Sequence, residues 1–433
     1  MSARTLSAAL AEIVGAGHVL DSPAALAACA LDGIEPRWIV KPGSVEEVGR
    51  LLALASSERL AVAPRGSGAR AGLGNPPSRL DLVVDLTRLS AVQDYVPEDM
   101  VATVQCGLTL SDLAVQLAKK GQRLALDPLG GGGRTVGGVL ATNASGPLRF
   151  RYGTGRDLLL GVRFVQADGT ITWGGSKVVK SVSGYDVPKL LVGSLGTLGV
   201  MVEATLRLHP LPAATGTVVV VCRSPAALQE LLAAVLDSSL EPDRITALNN
   251  WVRGGGPPSP ALLVSFGSVD EAVKSQGQAL IELAKPSSLV AEWVPNTFWD
   301  EIGRGWGDPP EVSLTLVCEI RRVGHWLGEL ERLASALGTQ VFVVGEGGNG
   351  VLRASLGDGA AERPFLRELI EPLRDGLEAE GGSVVVERMP PALKRDFDVW
   401  GAVPADALAL MRRVKQEFDP LGLLNPGRFV GGL

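Results

Sequence analysis

Between residues 61 and 77 the chain reads AVAPRGSGARAGLGNPP, and this stretch constrains the fold more than any other. A short strand from Arg59 to Pro64 is expected to run into a Gly-x-Gly-x-x-Ala pattern at Gly66, Gly68 and Ala71. In a Rossmann fold such a loop must open directly into a helix, because a pyrophosphate rests on that helix's N-terminus, with an acidic residue about 20 positions on. Asp85, at the end of LDLVVD, offers the acid. The helix is excluded, because Gly72, Gly74 and then Asn75-Pro76-Pro77 cannot continue one. What remains is a strand followed by an irregular glycine loop, whose consecutive backbone N–H groups can still surround a phosphate.

At 433 residues the chain exceeds one ordinary core, and its length suggests about two or three domains. A net charge of −6 leaves no basic footprint for nucleic acid or an anionic membrane. The 54 glycines fall in loops without a period, so the chain is neither collagen-like nor of low complexity. Cys29, Cys106, Cys222 and Cys318 are scattered without a Cys-x-x-Cys, so neither a disulfide framework nor an iron–sulfur cluster of its own is expected. His18, His209 and His325 lie far apart, and no metal site is expected. Glu12 interrupts the apolar stretch of MSARTLSAALAEIVGAG, which reads as an amphipathic helix rather than a signal peptide. No apolar run approaches about 18 residues, so no membrane span is expected. The expectation is a cytoplasmic protein that meets a membrane through partner subunits if at all.

The first half alternates strands, helices and glycine loops. Ser44-Val45-Glu46-Glu47 predicts a capping box and a helix with Val45, Val48, Leu51, Leu52 and Ala55 on its apolar face. LDLVVDL and MVATVQCG read as strands, and Thr109 to Gly121 as a helix. A long loop, DPLGGGGRTVGGVLATNASGPLRFRYGTGRD, follows, and loops of that length inside a domain are usually functional. LLLGVRFVQADGTITW reads as a hairpin turning at Asp168-Gly169. From about Thr217 a βαββαβ order appears and then recurs, from TVVVVC to LVAEWV and from VSLTLVCEI to SVVVER, as in two ferredoxin-like halves of one antiparallel sheet.

Three glycine-rich segments carry the chemistry: PRGSGARAG (64–72), TVGGVLATNASG (135–146) and GYDVPKLLVGSLGTLGVMVEA (184–204). With RYGTGRDLLLGVRFVQADG between the last two and FDPLGLLNPGR further on, their order resembles the vanillyl-alcohol oxidase (PCMH) type of FAD-binding flavoproteins over essentially the whole chain. GGSKVVKSVSGYDVPKLLVGSLGTLGV and GPLRFRYGTGRD look like the FAD-binding subunit of bacterial glycolate oxidases. The resemblance implies an α+β protein. Residues 1–212 would form a PCMH-type FAD-binding domain of two α/β subdomains, 213–388 an antiparallel-sheet cap domain, and 389–433 a C-terminal segment returning to the FAD domain.

The same resemblance implies the cofactor-binding residues. Pro64, Arg65, Gly66, Ser67, Gly68, Ala69 and Arg70 would wrap the pyrophosphate, where glycine lets the backbone approach closely. Thr135, Gly137, Gly138, Thr142, Asn143, Ser145 and Gly146 would run along the isoalloxazine and ribityl groups, with Pro128, Arg151, Tyr152 and Gly153 nearby. Gly196, Thr197, Gly199 and Val200 would hold the adenine end, and Asn425 of LNPGR would close the site. Members that link FAD covalently carry a histidine in the first loop; Ala69-Arg70 stands there in this chain, so FAD is expected to bind noncovalently. Many D-2-hydroxyacid dehydrogenases of the type carry a His-x-Gly-Asp-Gly-Asn metal motif, whereas VGEGGNG (344–350) has no histidine. Leu195 replaces the glutamate of the commoner GSEGTLG.

A flavin takes a hydride at its own ring, so the protein must orient a small 2-hydroxy acid and accept its hydroxyl proton. An arginine would hold the carboxylate bidentately. By sequence position Glu387, Arg388 and Arg321, with its neighbour Arg322, are candidates, and Trp400 and Tyr152 could wall the pocket or simply pack. Three readings follow. The first is an FAD subunit of a glycolate oxidase-type complex, working beside a second FAD subunit and an iron–sulfur subunit. The others are a self-sufficient FAD-dependent D-2-hydroxyacid dehydrogenase or oxidase, and a non-catalytic FAD-binding subunit.

Overall fold

The structure, a computed structural model, describes residues 2–176, 185–252, 257–305, 311–357, 363–395 and 397–433. Residues 177–184, which include Gly184 of the third glycine-rich segment, lie outside them. Near the N-terminus Trp38–Val40, Leu82–Asp85 and Val62–Arg65 lie parallel in a four-stranded sheet edged by antiparallel Val19–Leu20. The helix Val45–Ser57 buries the five apolar residues expected of it against Trp38, Val40, Val62, Leu82 and Val84. Its cap differs from the expected box: Ser44 Oγ accepts from the Glu47 N–H at 3.1 Å, but the Glu47 carboxylate reaches past Ser44 to the N–H of Gly43 at 2.6 Å. Asp85 is a turn-former, its carboxylate accepting from the backbone and hydroxyl of Thr87.

A second, five-stranded sheet is antiparallel in the order Val92–Val96, Val101–Gln105, Val200–Arg207, Leu159–Val165, Ile171–Gly175. Its last two strands form the hairpin, with Gly169 at φ +92° in the turn. Strand Val92–Val96 was not expected, because its half-buried VQDYV lacks an apolar run. The long connection is likewise more ordered than a loop. Thr135 caps a helix Val136–Ala141, and Thr154 with Asp157 forms a true capping box on Gly155–Leu158. Short polar caps, not apolar periodicity, build these turns.

The third sheet holds eight antiparallel strands, all from residues 214–388. Their order is Val290–Val294, Ala214–Val221, Ser259–Ser268, Arg244–Trp251, Val341–Glu346, Val351–Leu356, Ser313–Val317, Ser383–Arg388. Each half contributes its strands in the order fourth, first, third, second, and the two second strands pair at the centre, Thr246 opposite Glu346. The tandem βαββαβ units are therefore related end to end in one sheet. The helices Pro225–Leu236, Asp270–Ala284, Val323–Ala336 and Arg363–Ala379 follow strands in the expected places. Alternation divides the faces. Val218, Val220, Leu262 and Val264 share the helix-side core, whereas Val219, Ala261 and Leu263 cluster on the other face with Leu129 of the long connection.

The C-terminal segment runs back to the first sheet. After the helix Ala405–Phe418, the Leu423 carbonyl accepts from the Val62 N–H and the Asn425 N–H donates to the Val62 carbonyl, both at 2.8 Å. Lys415 fastens this return by donating to the carbonyls of Thr197 (2.8 Å) and Leu424 (3.0 Å) and to Asp419 (2.6 Å). No helix among the described residues is long and apolar enough to cross a membrane.

Candidate active site

The end of strand Val62–Arg65 and the loop after it form one wall of a cleft lying between the first two sheets. Pro64, Arg65, Gly66, Ser67, Gly68, Ala69 and Arg70 all line it. Among the described residues, none of the backbone N–H groups of Gly66 through Arg70 finds an acceptor. Such a run of free donors on a concave backbone is what a pyrophosphate needs. Gly68 sits at φ +76°, a left-handed conformation that glycine adopts without strain. Thr135, Gly137, Gly138 and Thr142 form the facing wall, Leu195, Gly196, Gly199 and Met201 a third side, and Asn425 and Arg428 close it. The residues present thus fit a dinucleotide whose phosphates meet the 66–70 loop.

Leu195 holds an unusual post in this wall. It is buried at φ +53°, and its carbonyl accepts from Asn425 Nδ2 at 2.6 Å. Behind the loop, two buried cations grip the next four carbonyls. Arg428 Nη2 donates to Ala71 and Leu73, each at 2.6 Å, while Lys394 Nζ donates to Gly72 and, at 3.1 Å, to Gly74. Asp32 answers Lys394 at 2.8 Å with both side chains nearly fully buried. Burial pulls the Lys394 ammonium below its ordinary value, and Asp32 opposes that shift.

A second cleft abuts the first, sharing Ala69, Arg70 and Arg134 with it. Its far wall comes from the third sheet: Ser313, Leu314, Thr315, Arg353, Glu387 and Arg388. Strand alternation explains the arrangement. Leu314, Leu316, Leu352, Ala354, Val384 and Val386 point into the helix-side core, which turns Thr315, Arg353 and Glu387 toward the cleft. Thr315 sits directly opposite Arg353, and a register shift between Ser313 and Leu314 brings Glu387 alongside. Thr315 Oγ1 donates to Glu387 at 2.8 Å, Arg353 pairs with Glu346 at 2.8 Å, and Arg70 reaches across from the 66–70 loop to ion-pair with Glu387. Burial, then repulsion from Arg353 and Arg134, pushes the Arg70 guanidinium down to about 9. Arg134 is pushed down to about 10 by burial and then by Arg353.

The expected site residues separate into groups. Those of the first loop, with Thr135, Gly137, Gly138, Thr142, Gly196, Gly199 and Asn425, line the first cleft; Pro128, Ser145, Glu387 and Arg388 line the second. Val200 is wholly buried between two residues that line the first cleft, Gly199 and Met201. Thr197 is buried too, its hydroxyl donating to Ser194. Asn143 is exposed at φ +46°, and Gly146 is pressed against the Asp127 backbone. Arg151 pairs with Asp243 at 3.4 Å, the Tyr152 hydroxyl accepts from Arg123 at 2.8 Å, and Gly153 ends their helix at φ +79°. These three belong to the seam with the third sheet and not to either cleft. Arg321 is a clear displacement: its side chain is 81% exposed and pairs with Glu319 at a helix start, while Arg322 pairs with Glu380. Trp400 packs edge-on against Phe429 and donates to the Arg428 carbonyl.

Arg353, Arg134 and Thr315 were missed as candidates. A signal existed, since each of Thr315 and Arg353 is a polar residue inside an apolar alternation, on the face that does not meet the helices. In VGEGGNG, Glu346 is buried and committed to Arg353 and Arg149. Among the described residues no group of three or more His, Cys, Asp or Glu could hold a metal ion. Cys106 and Cys29 line the first cleft from outside the expected segments, and burial pushes the Cys106 thiol far up.

Residues 36–175 match the FAD binding domain family, and residues 401–429 match the C-terminal domain of FAD linked oxidases. The D-2-hydroxyglutarate dehydrogenase of Xanthomonas citri pv. viticola is 28% identical over 422 residues, covering 91% of this chain and 89% of that one. Glycolate oxidase subunit GlcD of Bacillus subtilis is 23% identical over 419 residues, covering 91% and 88%. The solved structure of p-cresol methylhydroxylase with substrate bound superposes with a TM-score of 0.74 at 15% identity, over 98% of this chain and 96% of that one. That likeness gives the fold.

Proposed function

We propose that this chain, an FAD-dependent oxidoreductase of the 2-hydroxyacid dehydrogenase and oxidase type, converts a 2-hydroxy acid to the 2-oxo acid in the second cleft. The observation that carries the reading is the meeting of Arg70, Arg134, Arg353 and Glu387 where that cleft joins the FAD groove. Bound FAD supplies the hydride acceptor. The chain's own residues do the rest. Arg70 and Arg353 present planar forks that orient the substrate carboxylate. Glu387, held by Thr315 and Arg70, is the carboxylate in position to take the hydroxyl proton as the C2 hydrogen departs with its electron pair. FAD is held noncovalently by the 64–70 loop, the 135–142 segment, residues 195–201 and Asn425.

The finer reading, an FAD subunit of a glycolate oxidase-type complex that delivers electrons to an iron–sulfur partner, is supported by the likeness of residues 146–157 and 174–200 and by Leu195 in place of glutamate. The relative named as a D-2-hydroxyglutarate dehydrogenase keeps the self-sufficient enzyme as the alternative. Anaerobic mixing of the FAD-loaded protein with 2-hydroxy acids tests catalysis. Bleaching of the flavin in the isolated chain supports oxidation by this chain itself; a flavin that stays oxidised with every hydroxy acid tried removes that role. Denaturation should release the flavin intact, and flavin that stays with the precipitated chain contradicts noncovalent binding.

A further inference from the structure

Beside the second cleft lies a larger groove of about 530 Å³, and the two share Pro128 and Leu129. Leu110 and Ala114 of the helix Leu110–Ala118, Leu126, and Trp299 and Ile302 of the helix Phe298–Gly305 line it. Leu129 and Ile302 also belong to the apolar cluster on the open face of the third sheet, which backs the groove. Its two charged side chains answer each other, Arg244 Nε lying 3.1 Å from the Asp127 carboxylate. The Arg244 guanidinium also lies 4.9 Å from the centre of the Trp299 ring, whose N–H is given to Thr217 Oγ1 at 2.9 Å. Among the described residues the groove therefore offers apolar surface and no unanswered charge.

The second cleft is different in kind, at about 80 Å³ and with Arg70, Thr315, Arg353 and Glu387 in its walls. A substituent on C2 of a bound hydroxy acid has to leave it. The first cleft is the cofactor's, so the shared wall at Pro128 and Leu129 leads the substituent into the groove. Resting on the hydroxy-acid reading, we propose that the substrate is a 2-hydroxy acid with a large apolar side chain, which lies in this groove while its carboxylate meets Arg70 and Arg353. A cavity of about 150 Å³ suffices for benzene, so a chain of several carbons has ample space. Each methylene buried there raises affinity by up to about fourfold. A charged side chain would lose its hydration with no partner to replace it.

The test uses the FAD-loaded protein at constant ionic strength. Acetate, butyrate and hexanoate, which lack the hydroxyl to be oxidised, are titrated by calorimetry, and perturbation of the flavin spectrum shows whether they compete for one site. Hexanoate should bind about tenfold or more tightly than acetate, with butyrate between them. Adipate, of hexanoate's length but with a second carboxylate, should fall back toward acetate. Ala114→Trp, which adds an indole to the groove from an exposed helix position, should remove most of the gain with chain length. Equal affinities along the series, or adipate bound as tightly as hexanoate, overturn the proposal without any variant. A folded Ala114→Trp protein that keeps the full gain also overturns it, as does one that weakens acetate as much as hexanoate, which would make the groove an entry path.

Anaerobic reduction separates this inference from the reading beneath it. If lactate bleaches the flavin at as low a concentration as 2-hydroxyhexanoate, the apolar side chain is wrong and hydroxy-acid oxidation stands. If affinity climbs with chain length but no hydroxy acid bleaches, the apolar site stands without the chemistry. If the series is flat and nothing bleaches, both fall.

Discussion

Lys394 shows how a single buried side chain can fix a loop from behind. It and Arg428 hold the carbonyls of residues 71–74, fixing the loop whose preceding N–H groups face the first cleft. Replacing Lys394 by Met leaves Asp32 buried without its cation, so unfolding free energy should fall by about 3–5 kcal/mol, measured by denaturant titration. Adding Asp32→Asn should recover part of the loss, and an unchanged midpoint in the single variant would refute the clamp. Arg70 makes a second prediction at this scale. With its guanidinium pushed down to about 9, it loses charge as pH rises through that value, so KM for the acid substrate should climb above about pH 9 while kcat moves less. Legibility was uneven among such residues. The loop from Pro64 to Arg70 was readable because glycines and prolines impose local geometry. Arg321 misled, because an arginine's sequence position does not say which way its chain runs, and Lys394 left no signal because its partners, Asp32 and Gly72, are remote in sequence.

Among the elements, those with strong periodicity were the most readable. The helix Val45–Ser57 and both βαββαβ units were evident, whereas Val92–Val96 was hidden by its mixed composition and the helices after residue 135 by their shortness. The tandem order was evident, but the pairing of Arg244–Trp251 with Val341–Glu346 that joins the halves was not, since register between remote strands is set by packing. The segment around Asp127 yields a pH prediction. Its carboxylate accepts from the Leu148 N–H at 3.0 Å and from Arg244 Nε at 3.1 Å, tying the connection to the third sheet. Burial nevertheless raises Asp127 to about 6, with Arg244 and the Leu148 N–H opposing. The folded chain then binds more protons than the unfolded chain between about pH 4 and 6. Asp127's contribution to stability is therefore present at the acid end and lost as pH rises through about 6. Asp127→Asn should flatten that part of the pH–melting profile, and an unaltered slope would count against it.

For the molecule as a whole, the seam between the first two sheets and the third is largely ionic: Arg149 with Glu346, Arg123 and Arg151 with Asp243, Arg244 with Asp127. Asp243 has a 3% exposed side chain shared by two arginines, so Asp243→Asn should cost about 3–5 kcal/mol in denaturant unfolding, far more than an exposed pair would. FAD should stabilise the folded chain by mass action, by about 2.7 kcal/mol at a hundredfold excess over Kd, visible as a concentration-dependent melting temperature.

The return of residues 423–428 to the 64–74 loop also bears on how the protein is made. Leu73 and Arg428 are 355 positions apart, so the ribosome delivers the first loop long before the segment that clamps it. Through that interval the cap strands can pair while the 64–74 loop waits, its carbonyls still solvated. If FAD needs this clamp to bind, flavin loading follows the synthesis of residues 423–428, and chains truncated before them should not retain the cofactor.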